Sequence, residues 1–182
     1  MNYKLGKIRN IITVIIATFI TLFATSAFIT PAEAYVPTGA TLSIPSIELT
    51  APIVTISIRA FPNGAVTWDT TQITSEVGFL DGLSWFGQGG NTVLGGHSEL
   101  AGRVPAVFYE LDQVVVGDEI IVTNDGVEIR YQVTDTFTVN QTDLSILYPT
   151  SGEQLTLFTC DIESYNNGNY NRRDVVIATR IN

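Results

Sequence analysis

Glu119-Ile120-Ile121-Val122-Thr123-Asn124-Asp125-Gly126-Val127-Glu128-Ile129-Arg130-Tyr131-Gln132-Val133 sets two runs rich in β-branched and aromatic residues on either side of Asn-Asp-Gly. Such runs favour a pleated, half-buried surface, and Asp-Gly tolerates the positive φ that a tight hairpin turn demands. The stretch therefore predicts two antiparallel strands, 119–123 and 127–137. Similar short runs recur between Gly, Asn, Asp and Pro at 41–44, 53–58, 92–95, 154–160 and 174–181. No long stretch carries a strong helical apolar period. The regular alternation of short strands and turns predicts an all-β sandwich or barrel, with short helical turns expected at 104–111 and 144–148.

Three irregular stretches interrupt the strands: 78–90, with Trp85 and Phe86 among glycines; 139–152; and 162–171, dominated by Asn, Gly and Tyr. Loops carried on a rigid β scaffold commonly build sites, and the last two flank the strand ending at Cys160.

At 182 residues the chain has room for one ordinary domain once a targeting segment is set aside. Lys4, Lys7 and Arg9 precede an uncharged run at 11–30, long enough as a helix to span about 30 Å of hydrocarbon. The basic flank is expected to stay in the cytoplasm, leaving the rest outside. Ala32-Glu33-Ala34 also has the small-x-small pattern of a signal-peptide cleavage site. Length favours a membrane anchor and Ala-x-Ala favours cleavage; either exports the domain. The expected organisation is an anchor or signal at 1–34 and an extracytoplasmic domain at 35–182, with a tether at 31–39 and the first strand from Thr41. The expected location is the cell membrane, single-pass, or secreted after cleavage at Ala34.

From Tyr35 onward six arginines face seventeen acids and no lysine occurs, a formal charge of −11. Such a body repels nucleic-acid phosphates and has no basic stripe to overcome that, so nucleic-acid binding is excluded.

Cys160 is the only cysteine and His97 the only histidine. An exported domain with one thiol can form no internal disulfide, so Cys160 is either a buried small hydrophobe or a retained reactive group. Strand alternation puts Thr156, Phe158 and Cys160 on one face and Leu155, Leu157 and Thr159 on the other, with Cys160 at a strand end before a polar loop. His97 follows Val93-Leu94-Gly95-Gly96, where two glycines admit a close approach beside the ring. Alone it reads as a surface turn residue. Together, one thiol and one distant imidazole suggest a nucleophile with its proton carrier. Arg172 and Arg173 begin the last strand. A guanidinium there could steady a thiolate or a developing oxyanion, or simply neutralise Asp174. Arg180, near the chain end, reads as solvated.

Thr156-Leu157-Phe158-Thr159-Cys160 resembles the sortase signature Thr-Leu-x-Thr-Cys. Gly96-His97-Ser98 is similar to the family's Gly-His segment, Arg173 with Val175-Val176-Ile177-Ala178-Thr179 to its Arg-bearing final strand, and 41–47 to its first strand. The resemblance covers residues 40–182 and implies a closed eight-stranded β-barrel behind an N-terminal membrane segment, with catalytic His97, Cys160 and Arg173. It also implies cleavage of a Leu-Pro-x-Thr-Gly-like sorting peptide between Thr and Gly and transfer of the acyl group to an amine, from a cell-wall precursor or a pilin lysine. Thr156 and Phe158, on the thiol's face, are expected to bind substrate. The resemblance selects a register in which Cys160 faces Arg173 and Phe158 faces Val175. Some members bind calcium through acidic loops, but Asp112, Asp118 and Glu119 form no recognisable calcium loop and no cofactor is expected. An L,D-transpeptidase would carry Ser-x-Gly-Cys, unlike Leu157-Phe158-Thr159-Cys160. A secreted adhesion or scaffold domain, with Cys160 in the core, is the alternative outside enzymes.

Overall fold

The computed structural model describes residues 35–182. The expected membrane segment, its flanking charges and Ala32-Glu33-Ala34 lie outside the described residues. Eight strands form the body: β1 (Tyr35–Ile44), β2 (Leu49–Ile56), β3 (Val77–Leu80), β4 (Asn91–Gly95), β5 (Glu119–Asn124), β6 (Val127–Asn140), β7 (Gln154–Cys160) and β8 (Arg172–Arg180). They pair in the order β1-β2-β3-β4-β7-β8-β6-β5, and β5 returns to β1 through Thr41↔Thr123 and Ser43↔Ile121, closing the barrel. Closure leaves the barrel itself no free edge to template aggregation.

The β5–β6 hairpin forms as its sequence predicts. Asp125 and Gly126 both take positive φ, 51° and 78°, and Asn124 pairs with Val127. Alternation then sends Ile120 and Val122 from β5, and Ile129, Tyr131 and Val133 from β6, into the barrel. They meet Leu42 and Ile44 of β1, Leu155 and Leu157 of β7 and Val176 and Ala178 of β8 in one apolar core. A smaller cluster of Val54, Ile56, Ile73, Leu80 and Val93, with Trp68 and Phe158 against it, packs separately.

Three sequence expectations need correction. The stretch 78–90 does not begin as a loop, because Val77–Leu80 is a barrel strand, parallel to β2 and antiparallel to β4. All four of its residues are buried, so it shows no polar alternation. Its glycine serves packing: a Cβ on Gly78 would come within 2.8 Å of the Ile56 side chain. Residues 35–39 are not a tether either. Tyr35, Val36 and Pro37 pair with Ile56, Thr55 and Val54 before a bulge, where Gly39 takes φ 79° and the Thr38 hydroxyl donates to the Ile53 carbonyl at 2.6 Å. Finally, 104–111 is helical only at Leu111, where a 3-10 turn begins. Val104–Pro105 pairs with Glu99–Leu100, and the amides of Ala106 and Phe108 donate to the carbonyls of Ser98 and His97. Two of the backbone donors a helix would use are thereby engaged alongside the His97 segment, and the Tyr109 and Leu111 amides close only single turns, onto the Ala106 and Phe108 carbonyls. A single 3-10 turn follows at Leu111–Gln113, and another at Ser145–Leu147 answers the helical turn expected at 144–148.

Candidate active site

β4 and β7 run parallel with Phe158 opposite Gly95, so two residues further along each chain Cys160 and His97 come to the same end of the sheet. The junction is tied by Gly96 N–H to the Phe158 carbonyl and by the Thr159 hydroxyl to the Gly96 carbonyl, 2.9 Å. On the other side of β7, β8 runs antiparallel with Cys160 opposite Arg173 and Phe158 opposite Val175, the register the resemblance selects. The thiol therefore stands on the middle of three adjacent strands, between the imidazole and the guanidinium.

Those three side chains line one cleft of about 230 Å3, whose walls include Ile56, Trp68, Leu80 and Phe158. Gly95 and Gly96 line the same cleft, and packing leaves no room for a side chain on either. A Cβ on Gly95 would sit 2.9 Å from the Phe158 ring, and one on Gly96 2.7 Å from Phe108 and Val107. The close approach comes from the protein's own side chains, which seat the His97 segment against β7.

His97 Nε2 lies 3.0 Å from the carbonyl oxygen of Thr70, in the segment between β2 and β3. Burial pushes the Cys160 thiol above its ordinary value; the Arg173 charge pulls the other way and Asp174 adds to the rise. Arg173 donates to the carbonyls of Tyr170, at 3.2 Å, and Arg172, at 2.9 Å. The other five arginines among the described residues are each ion-paired with a carboxylate, Arg172 with Asp161 at 2.7 Å; Arg173 is not. It keeps hydrogen-bonding capacity for an incoming group, whereas Arg172 is the acid-neutralising member of the pair.

Phe158, expected to bind substrate, lines the cleft. Thr156 lies elsewhere: it is wholly buried and does not line this cleft. Its hydroxyl donates to Asn91 Oδ1 at 2.7 Å, while Asn91 Nδ2 donates to the carbonyls of Ile146 and Tyr148 at 2.8 and 3.1 Å. This network holds the 141–152 loop to β4 and β7. Asn91, Trp68, Asp69 and Thr70 escaped sequence reasoning. Asp69-Thr70-Thr71 does read as a side-chain-capped turn, but nothing local says that the turn meets His97.

A second cleft, of about 290 Å3, touches Cys160 and Thr159 from the other face of β8 and is lined by Asp112, Asp161, Glu163, Arg172 and Asp174. Burial, reinforced by Asp161, pushes the Asp174 carboxyl up to about 6. Among the described residues no group of three or more His, Cys, Asp or Glu side chains is arranged to hold a metal ion.

Comparison with known proteins agrees with this geometry. No curated protein sequence matches the chain. Among solved structures, sortase A from Corynebacterium diphtheriae, in a lid-mutant form, is 29% identical, covering 84% of this chain and 74% of that one with a TM-score of 0.63. Sortase C-1 from Actinomyces oris is also 29% identical, covering 80% and 75% with a TM-score of 0.63. Sortase C1 from Streptococcus agalactiae is 26% identical, covering 79% and 67% with a TM-score of 0.62. The sortase domain family model matches residues 42–181, nearly the whole barrel, and the chain belongs to the sortase family.

Proposed function

We propose that this chain cleaves a sorting peptide resembling Leu-Pro-x-Thr-Gly between Thr and Gly and passes the acyl group from Cys160 to an amine. Family membership makes it a cysteine transpeptidase in general and sets aside the adhesion or scaffold reading. The assignment of residues is supported by one observation above the others: Cys160, His97 and the unpaired Arg173 share one cleft with apolar walls suited to the peptide's Leu and Pro.

The Cys160 thiolate attacks the carbonyl carbon of the substrate threonine, and the Arg173 guanidinium donates to the oxygen on which negative charge develops. Protonated His97 gives its proton to the departing glycine amine, leaving a thioester on Cys160. The acceptor amine then attacks that thioester while His97 takes its proton, and the thiolate is released. Transfer prevails over hydrolysis where the amine outcompetes water at the thioester. A cell-wall precursor and a pilin lysine both supply the amine this chemistry needs, and the product is a protein anchored to, or polymerised on, the cell surface.

Residues 11–30 are the segment proposed to hold the domain at the membrane, facing outward. The catalytic reading is tested by incubating the chain with a Leu-Pro-x-Thr-Gly peptide library and a set of amines, with mass spectrometry of the protein. A thioester on Cys160 that an added amine resolves supports it; cleavage without mass gain on Cys160 overturns it. Cell fractionation with N-terminal sequencing tests the location, and a soluble form beginning at Tyr35 overturns the anchor.

A further inference from the structure

His97 offers two ring nitrogens, and one is already engaged. Nε2 lies 3.0 Å from the Thr70 carbonyl oxygen. A carbonyl only accepts, so the hydrogen in that contact belongs to Nε2, and Nδ1 is the nitrogen left to exchange a proton. The question becomes what holds the Thr70 carbonyl.

Asp69 does. Its residue is 1% exposed, and among the described residues only Asp161 is a similarly buried acidic residue. Oδ2 accepts from Arg59 Nη1 at 2.7 Å. Oδ1 accepts from the Thr71 amide at 3.0 Å and the Thr71 hydroxyl at 2.5 Å. The Asp69 amide donates to the Ser57 carbonyl at 3.0 Å. Thr70 is thus bracketed, with the residue before it pinned to the strand pair Ile58–Ala60 and Val66–Trp68 and the residue after it drawn back onto the same carboxylate. Trp68 and Thr70 line the cleft and Asp69 does not. The Thr71 hydroxyl, then Arg59, hold the Asp69 carboxyl below its usual range, so it is ionised at neutral pH. A carboxylate buried this thoroughly is costly unless its bonds are all made, and these bonds serve the shape of one turn.

We propose that Asp69 and the Thr70 carbonyl together orient the imidazole of His97: the carboxylate sets the turn, the carbonyl holds Nε2–H, and Nδ1 is the nitrogen that serves Cys160. The inference rests on the reading of His97 as proton carrier. In a Ser-His-Asp triad the carboxylate itself bonds the ring. Here the carboxylate acts one residue away, through the backbone, and Asp69 is a positioning residue.

Because the chain has one histidine, 15N-histidine labelling of the full chain gives a single imidazole spin system. The expected result is a ring proton on Nε2, hydrogen-bonded and slow to exchange. In Asp69→Ala that protected signal disappears, and kcat for peptide cleavage falls about 10- to 100-fold, as for a misplaced catalytic group, with KM changed much less. Asp69→Asn, which still accepts from Thr71, keeps most of both. Arg59→Ala removes an exposed partner and gives a smaller loss in a chain that should fold normally, so the test survives if Asp69→Ala does not fold. A wild-type proton on Nδ1 overturns the proposal, as does an unchanged Nε2–H signal in folded Asp69→Ala. The spectroscopic result is independent of whether Cys160 is the nucleophile, which Cys160→Ala addresses separately.

Discussion

Two clefts meet at the end of β7, and they differ in charge because they face opposite sides of β8. One holds His97, Cys160 and Arg173 against Ile56, Leu80 and Phe158; the other holds Asp112, Asp161, Glu163 and Asp174 around Arg172. Arg172, Arg173 and Asp174 are consecutive in the chain. Strand alternation alone sends the middle one to the thiol's side and its neighbours to the acidic side. There Arg172 is held by Asp161, and Asp174 is pushed up to about 6 by burial and that same acid. On the thiol's side the guanidinium meets only backbone carbonyls. In a domain this acidic, a cation stays available because the acids are segregated onto the other face.

The most severe way to break the comparison is Cys160→Ala, which should abolish acyl-enzyme formation and peptide cleavage while the melting curve overlaps the parent's. Turnover near the parent level in the purified variant would mean that the thiol both clefts touch is not the nucleophile.

Arg173→Ala and Arg172→Ala should separate the two faces most directly. Loss of a donor to the developing oxyanion costs about 3 to 4 kcal/mol in related acyl-transfer chemistry, roughly 100- to 1000-fold in rate. That loss is expected for Arg173→Ala. Arg173→Lys should also be severely impaired, because an ammonium lacks the planar fork that holds two hydrogen bonds at once. Arg172→Ala should alter turnover far less, its effect falling on the Asp161 pair. Steady-state kinetics with matched melting curves decide, and a greater loss in Arg172→Ala would reverse the roles of the two faces.

A gentler test reads the thiol directly. Burial holds the Cys160 pKa above its ordinary value and Arg173 lowers it, so removing Arg173 should raise it further. The rate of alkylation by a small electrophile should climb with pH in both proteins. In Arg173→Ala the climb should be displaced to higher pH, and an identical profile would mean that the guanidinium does not sense the thiolate.

The smallest effect belongs to the acidic face. Asp174 has a folded pKa of about 6, above an unfolded value of about 3.9, so the fold favours its protonated form. Below the lower value it contributes nothing, and between the two the cost of ionising it accumulates. Linkage over that interval amounts to about 3 kcal/mol, which solvent screening of a half-exposed carboxylate reduces to roughly 1 kcal/mol. Asp174→Asn should therefore stabilise the domain at pH 7 and leave it unchanged at pH 3.5. Chemical denaturation at the two pH values measures this, and equal effects at both would remove the electrostatic account.

Much of this was legible beforehand where the code is local. The β5–β6 hairpin, the extent of β7 and the alternation placing Phe158 and Cys160 on one face follow from period-two patterning and one Asp-Gly turn, and the Cys160–Arg173 register matches the resemblance-based expectation. β3 was not legible, because four residues buried on both faces show no alternation and Gly78 looks like a breaker until Ile56 is seen packed upon it. Thr156 was expected at the substrate because alternation assigns it to the thiol's face. That face is covered at Thr156 by Asn91 and the 141–152 loop, and uncovered only near the strand's end.

By itself, then, the sequence determined the chemistry available: one thiol, one imidazole, few cations and a β framework, all carried by residue type and short-range periodicity. The tertiary structure decided which of these meet. Parallel pairing of β4 with β7 brings His97 to Cys160 across more than sixty residues of chain, and β8 presents Arg173 to the thiol while turning Arg172 and Asp174 away. The Asp69 turn reaches His97 by the same route. Such meetings depend on strand order and register, which long-range packing selects and no local window of sequence encodes.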